Sequence, residues 1–181
     1  MEPSAVLTQP VSERDHLQGP AAAPVTLLEY GDYQCPYCGA AYPVVKALQK
    51  ALGRKLRFAF RNFPLTESHP YALIAAEAAE AAALQGKFWE MHDLIYEEQE
   101  ALEPGIIASW AERLGLDLGR LGKDIKQGAV GKTIKEDRQS GIRSGVNGTP
   151  TFFINGARYD GSPDYDSLLA ALKSELPARP G

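Results

Sequence analysis

Apolar positions along the chain fall into blocks of strand period and helix period in alternation. Residues 25–30 (VTLLEY) are apolar on both faces apart from Glu29, the pattern of a central strand covered on each side. From 36 to about 52, Tyr42, Val45, Leu48 and Leu52 recur at helical spacing. Pro36 suits the first turn of that helix and Gly53 ends it. Residues 56–62 (LRFAFRN) alternate Leu56, Phe58 and Phe60 with Arg57, Ala59 and Arg61 and stop before Pro64, which predicts a second strand. The chain therefore opens as β-α-β.

From about 68 to 145 the pattern is almost wholly helical. Residues 70–84 are rich in alanine, an efficient helix former. Beyond Gly86, Phe88, Met91, His92 and Ile95 continue at helical spacing, and further helices are predicted over 104–114, 117–126 and 130–144. Strand returns at 151–154 (TFFI), turns at Asn155-Gly156 and runs through 157–159. A last helix over 164–176 takes its start from Ser162, Pro163 and Asp164. Residues 1–23, with Pro3, Pro10, Gly19 and Pro20, read as a polar arm on the surface or loosely ordered, and 178–181 as a frayed tail. No repeat or long linker divides the chain. It reads as one α/β domain, with a helical insertion over 67–145 interrupting a mixed sheet built from 24–66 and 146–177.

Composition narrows the function. With 44% hydrophobic and 23% charged residues in 181, the chain can build one ordinary globular core. Its formal charge of −4 supplies no positive field for phosphate backbones, so nucleic acid is not expected as a partner. No apolar run reaches the roughly 18 to 20 residues that cross a bilayer, so membrane insertion is not expected. The first twenty residues lack the basic start and apolar stretch of a secretory signal. Read literally, that predicts a cytoplasmic protein, and a signal removed beforehand would instead place it in the periplasm or another extracytoplasmic space. A monomer is expected.

The only cysteines, Cys35 and Cys38, form the run Cys-Pro-Tyr-Cys. A bridge across two intervening residues closes too short a loop to restrict the unfolded chain much, so the pair points to chemistry rather than to stapling. Thiol exchange needs a thiolate, and an ordinary cysteine is mostly protonated at neutral pH. The motif joins a strand end to a helix start, where free N–H groups and the helix dipole favour negative charge at Cys35. Cys38 follows about one turn later, close enough to bond. Pro36 stiffens the turn. Tyr37 can cover one side of the site but brings no positive charge, which predicts a redox couple less extreme than one with histidine or lysine between the cysteines. Half a zinc site is the main alternative. It would need two more ligands, and His16, His69 and His92 show no paired spacing. No metal or organic cofactor is expected.

Gly145-Val146-Asn147-Gly148-Thr149-Pro150-Thr151 places a proline directly before an apolar strand. A cis Thr149-Pro150 bond would accommodate it there and leave neighbouring backbone groups free to pair with an extended peptide.

Strand, Cys-Pro-Tyr-Cys at a helix start, helix, strand, then Thr-Pro before a hairpin and a last helix resembles the thioredoxin fold over 25–176. The strings GDYQCPYC, FRNFPL and GTPTFFING are similar to those of DsbA-like thiol-disulfide oxidoreductases, which carry an all-helical insertion in that fold. The resemblance implies that Cys35 is the exposed nucleophile, that Cys38 resolves the mixed disulfide, and that Pro150 is cis and faces the pair. It also implies protein or peptide thiols and disulfides as substrates, held near Pro36, Tyr37 and Thr149, and a separate redox partner that recharges the pair. The Pro-Tyr dipeptide is shared with glutaredoxins, and Thr149 before the proline with isomerase and reductase relatives, so oxidation and reduction both stay open. A glutathione-linked reductase and a non-catalytic peptide-binding module are the alternatives.

The family often has a buried acidic residue where Glu29 stands, six positions before Cys35. Such a carboxyl could exchange a proton with Cys38. Otherwise it would pair with Lys55, Arg57 or Arg61. His69 and His92 read as surface or satisfied core residues within helices, and Trp89, Trp110 and Phe152-Phe153 as core. Glu97 to Glu103 reads as a solvated helix end.

Overall fold

The computed structural model describes residues 5–178. The expected fraying of the tail therefore lies, for 179–181, outside the described residues. A five-stranded sheet has the order β1-β3-β2-β4-β5. Its strands are β1 His16–Gln18, β2 Val25–Gly31, β3 Leu56–Asn62, β4 Thr151–Ile154 and β5 Ala157–Tyr159. The helices are α1 Pro36–Leu52, α2 Ala72–Ala83, α3 Phe88–Glu97, α4 Ile106–Arg113, α5 Leu118–Lys126, α6 Gly131–Arg143 and α7 Tyr165–Ser174. Parallel β2 and β3 are joined through α1, and β4 returns antiparallel to β2. Five helices, α2 to α6, separate β3 from β4. The α/β class and the helical insertion follow the expectation from the sequence.

Residue alternation sorts β2 and β3 between two cores, because successive strand side chains point to opposite faces. Val25, Leu27, Leu56, Phe58 and Phe60 join α1, α7 and the inserted helices in the larger core. Leu28, Tyr30 and Ala59 face the other way, onto Leu7, Phe63, Val146 and Phe153. Glu29 shares the face of Leu27, and is opposed by Phe60 on one side and Phe152 on the other. That register puts a carboxyl group beneath α1.

The N-terminal arm departs from the expectation. Residues 16–18 form edge strand β1 against β3, Val6 bridges Ala157, and Leu7 is buried. A buried arginine explains the anchoring. Arg61 donates to Asp15 at 2.7 Å, to the carbonyls of Gln9 and Pro10, and to the Tyr30 hydroxyl. A buried guanidinium is tolerable only when its charge and donors are satisfied, and the arm supplies that satisfaction.

Candidate active site

Cys35 is the N-cap of α1, with extended backbone, and Pro36 takes the first helical turn, where its missing N–H costs no hydrogen bond. Both cysteines are free thiols and both are buried. Cys35 is only 3% exposed, which corrects the expectation of an exposed nucleophile. Its sulfur lies against the loop before β4 and donates to the Thr149 carbonyl at 3.5 Å, in a contact that is only partly buried. Cys38 is 0% exposed and meets the Asp32 amide at 3.5 Å. Cys35 thus remains the sulfur nearer to solvent.

The two thiols are pushed in opposite directions. Cys35 is lowered to about 5, first by a hydrogen bond from the Cys38 thiol, which outweighs the opposing effect of burial, and then by the Thr149 side chain and the backbone amides of Cys38 and Tyr37. The Thr149 hydroxyl is buried with no partner at hydrogen-bonding geometry in this reduced state, near enough to favour charge on the same sulfur. Cys38 is pushed well above an ordinary thiol by burial, by its bond to Cys35 and by the negative charges of Glu29 and Cys35. The Cys38 thiol, with help from Thr149 and the amides at the helix mouth, therefore favours a thiolate at Cys35, and the interior keeps the other sulfur protonated.

Glu29 is 3% exposed, and its Oε1 has no hydrogen-bond partner. Burial, and then the charge of Cys35, raise its carboxyl to about 8. The alternative pairing with basic residues is not present: Arg61 is taken by Asp15, and Arg57 donates to the Thr26 hydroxyl. Tyr37 is 74% exposed beside the pair. The Thr149-Pro150 peptide bond is cis, next to the Cys35 sulfur. Among the described residues, no group of three or more His, Cys, Asp or Glu is arranged to hold a metal ion.

Three polar residues around the cysteines were not assigned to the site from the sequence. Asp32 is buried and accepts from the amides of Gln34, Cys35 and Leu65 and from His69. His69 lies ahead of α2 rather than within a helix. Gln99, inside the acidic run read as a solvated helix end, donates from Nε2 to the carbonyls of Tyr33 and Cys35 at 2.8 and 2.9 Å. Gly39 leaves room for it, since a Cβ there would collide with the Gln99 amide. His92, in contrast, is a satisfied core residue bonded to the Tyr33 hydroxyl at 2.9 Å.

Residues 11–174 match the thioredoxin family, and the chain belongs to it. Its architecture is that of the DsbA-like members. BdbD from Bacillus subtilis superposes with a TM-score of 0.82 over 95% of this chain and 98% of that one, at 24% identity. The thiol-disulfide exchange protein alpha-DsbA2 from Wolbachia pipientis gives 0.78 over 90% and 87%, at 22% identity. Among curated proteins, the Na(+)/H(+) antiporter NhaA 1 of Salinispora arenicola is 50% identical over 164 residues, 90% of this chain and 25% of the antiporter. The chain thus spans about a quarter of the length of the curated relatives it matches. Among the described residues no helix is long and apolar enough to cross a membrane.

Proposed function

We propose that the protein is a thiol-disulfide oxidoreductase acting on polypeptide substrates through Cys35 and Cys38. The observation that carries this reading is the placement of the pair: Cys35 at the N-cap of α1 against the cis Thr149-Pro150 bond, with Cys38 fully buried one turn along. That placement pushes the first thiol down and the second up. In the reducing direction the Cys35 thiolate attacks a substrate disulfide, forming a mixed disulfide and releasing one substrate thiolate. Cys38 then gives up its proton and attacks the Cys35 sulfur. A Cys35-Cys38 disulfide forms, the second substrate thiolate leaves, and two electrons have passed to the substrate. Oxidation is the same sequence reversed.

Glu29 is proposed as the proton acceptor for Cys38. Once Cys35 is bonded to substrate its charge is gone, which removes one of the two effects that raise Glu29. The carboxyl then ionises more readily at the step that needs a base. Substrate lies across Thr149-Pro150, with Pro36 and Tyr37 on the rim, and a separate thiol or disulfide partner resets the pair.

Equilibration in graded mixtures of reduced and oxidised glutathione, followed by alkylation and mass measurement, tests the reading. The expected result is a single reversible two-electron transition of the Cys35-Cys38 pair, with transfer of the disulfide to an unfolded dithiol peptide. Because Tyr37 adds no cation, the couple is expected on the reducing side of about −120 mV, the region of strong oxidants. A pair that stays as thiols across the whole series refutes the exchange reading and leaves a peptide-binding module.

A further inference from the structure

We propose that His69 is a positioning residue for the nucleophile and acts through Asp32. The inference rests on the exchange reading of the site. Asp32 is 1% exposed, and its two carboxylate oxygens divide their work. Oδ1 accepts from the amides of Gln34 at 2.8 Å and Cys35 at 3.1 Å, and so sets the turn that delivers Cys35 to the head of α1. Oδ2 accepts from the Leu65 amide and from Nδ1 of His69, both at 2.8 Å. The same two segments meet once more, where the Tyr71 amide donates to Oε1 of Gln34 at 2.6 Å. His69 thus stands on the segment after β3 and holds a carboxylate whose other oxygen holds the nucleophile's own backbone.

A buried carboxylate keeps its place only while its lone pairs are satisfied. His69 is the one side chain among the described residues that hydrogen-bonds the Asp32 carboxylate; its other three donors are backbone amides. Without it, Oδ2 keeps only the Leu65 amide, and the grip of Oδ1 on the turn slackens. A looser turn holds the Cys35 backbone less firmly at the head of α1, which disfavours the thiolate. Losing a bond of ordinary strength at this point is worth about one pH unit in the Cys35 titration, roughly a tenfold loss of thiolate below the midpoint.

The test compares iodoacetamide alkylation of Cys35 against pH in the wild-type chain, His69→Ala and His69→Asn. It is combined with KM and kcat for reduction of a disulfide-bonded peptide. His69→Ala is expected to raise the alkylation midpoint by about one pH unit and to lower kcat. His69→Asn, whose amide can donate from near the Nδ1 position, restores most of both. A wild-type midpoint of an ordinary thiol counts against the exchange reading itself. A low wild-type midpoint left unmoved by His69→Ala overturns only the positioning role. NMR of the wild-type protein gives an independent reading that needs no folded variant. The His69 Nδ1–H resonance should be protected from exchange and should shift when Cys35 is alkylated, and indifference to alkylation contradicts the inference.

Discussion

Cys35→Ser is expected to slow disulfide exchange by at least on the order of a thousandfold, because a serine hydroxyl stays protonated where this thiol is ionised. The site is built around the charge of one sulfur. The Cys38 thiol, the nearby Thr149 hydroxyl and two backbone amides all favour that charge. An alkoxide in the same place could not be reached near neutral pH by shifts of that size, and serine cannot form the mixed disulfide at all. Cys38→Ser should behave differently. Cys35 still attacks, but no internal thiol completes the exchange, so a covalent protein-substrate adduct accumulates and can be trapped by acid quench and seen by mass. Cys38→Ala, which removes the hydrogen bond that does most to lower Cys35, should raise its alkylation midpoint. Full insulin-reducing activity in Cys35→Ser would contradict the assignment.

Glu29→Gln carries the second large effect. An amide cannot accept the Cys38 proton, so resolution of the mixed disulfide should slow by about a hundredfold, while the first attack by Cys35 changes little. In rapid-quench experiments the rising pH dependence of resolution should disappear. Stability gives an independent reading of the same carboxyl. Glu29 titrates near 8 in the fold, against about 4.3 in an unfolded chain. Between those values the folded state binds a proton that the unfolded state has released, so this group's contribution is complete at low pH and is lost as pH rises through about 8. The slope is about −1.4 kcal/mol per pH unit. Cys35 in the reduced protein has the opposite sign, because its folded thiol sits near 5, below its unfolded value. In the oxidised protein Cys35 carries no charge, so Glu29 is raised by burial alone and titrates lower than in the reduced form. Stability should still fall between pH 5 and 8 more steeply than in the oxidised Glu29→Gln protein, where buried Asp137, raised to about 7, leaves a shallower fall of the same sign. Chemical denaturation across that range checks this, and parallel curves for the two proteins would remove Glu29 from the mechanism.

Much of this arrangement was legible in the chain because it is written locally. Hydrophobic period, Pro36 and Gly53 bound α1 without reference to anything distant, and the Thr-Pro pair before an apolar tetrapeptide marks the entry to β4. Glu29 stood out as the polar member of an apolar strand. Strand β1 did not, because its three residues HLQ carry no strand pattern and are held by pairing to β3. Nor did the partners that steady the nucleophile. Asp32 and His69 are 37 residues apart, and Gln99 and Cys35 are 64 apart. Such contacts depend on how the inserted helices pack back on α1, and no local period reports that. The slight exposure of Cys35 has the same origin, since its cover comes from Thr149, which is 114 residues away.

The exchange proposed for this chain requires one buried sulfur at the head of α1 to be ionised well below neutrality while its neighbour is not. Titration of the reduced wild-type protein by thiolate absorbance in the ultraviolet, with Cys38→Ala to assign the signal, tests it most directly. One thiolate should appear with a midpoint near 5 in the wild type. No second thiolate should form until well above the ordinary cysteine range, about 8.5. Two thiols titrating together in that ordinary range would contradict it.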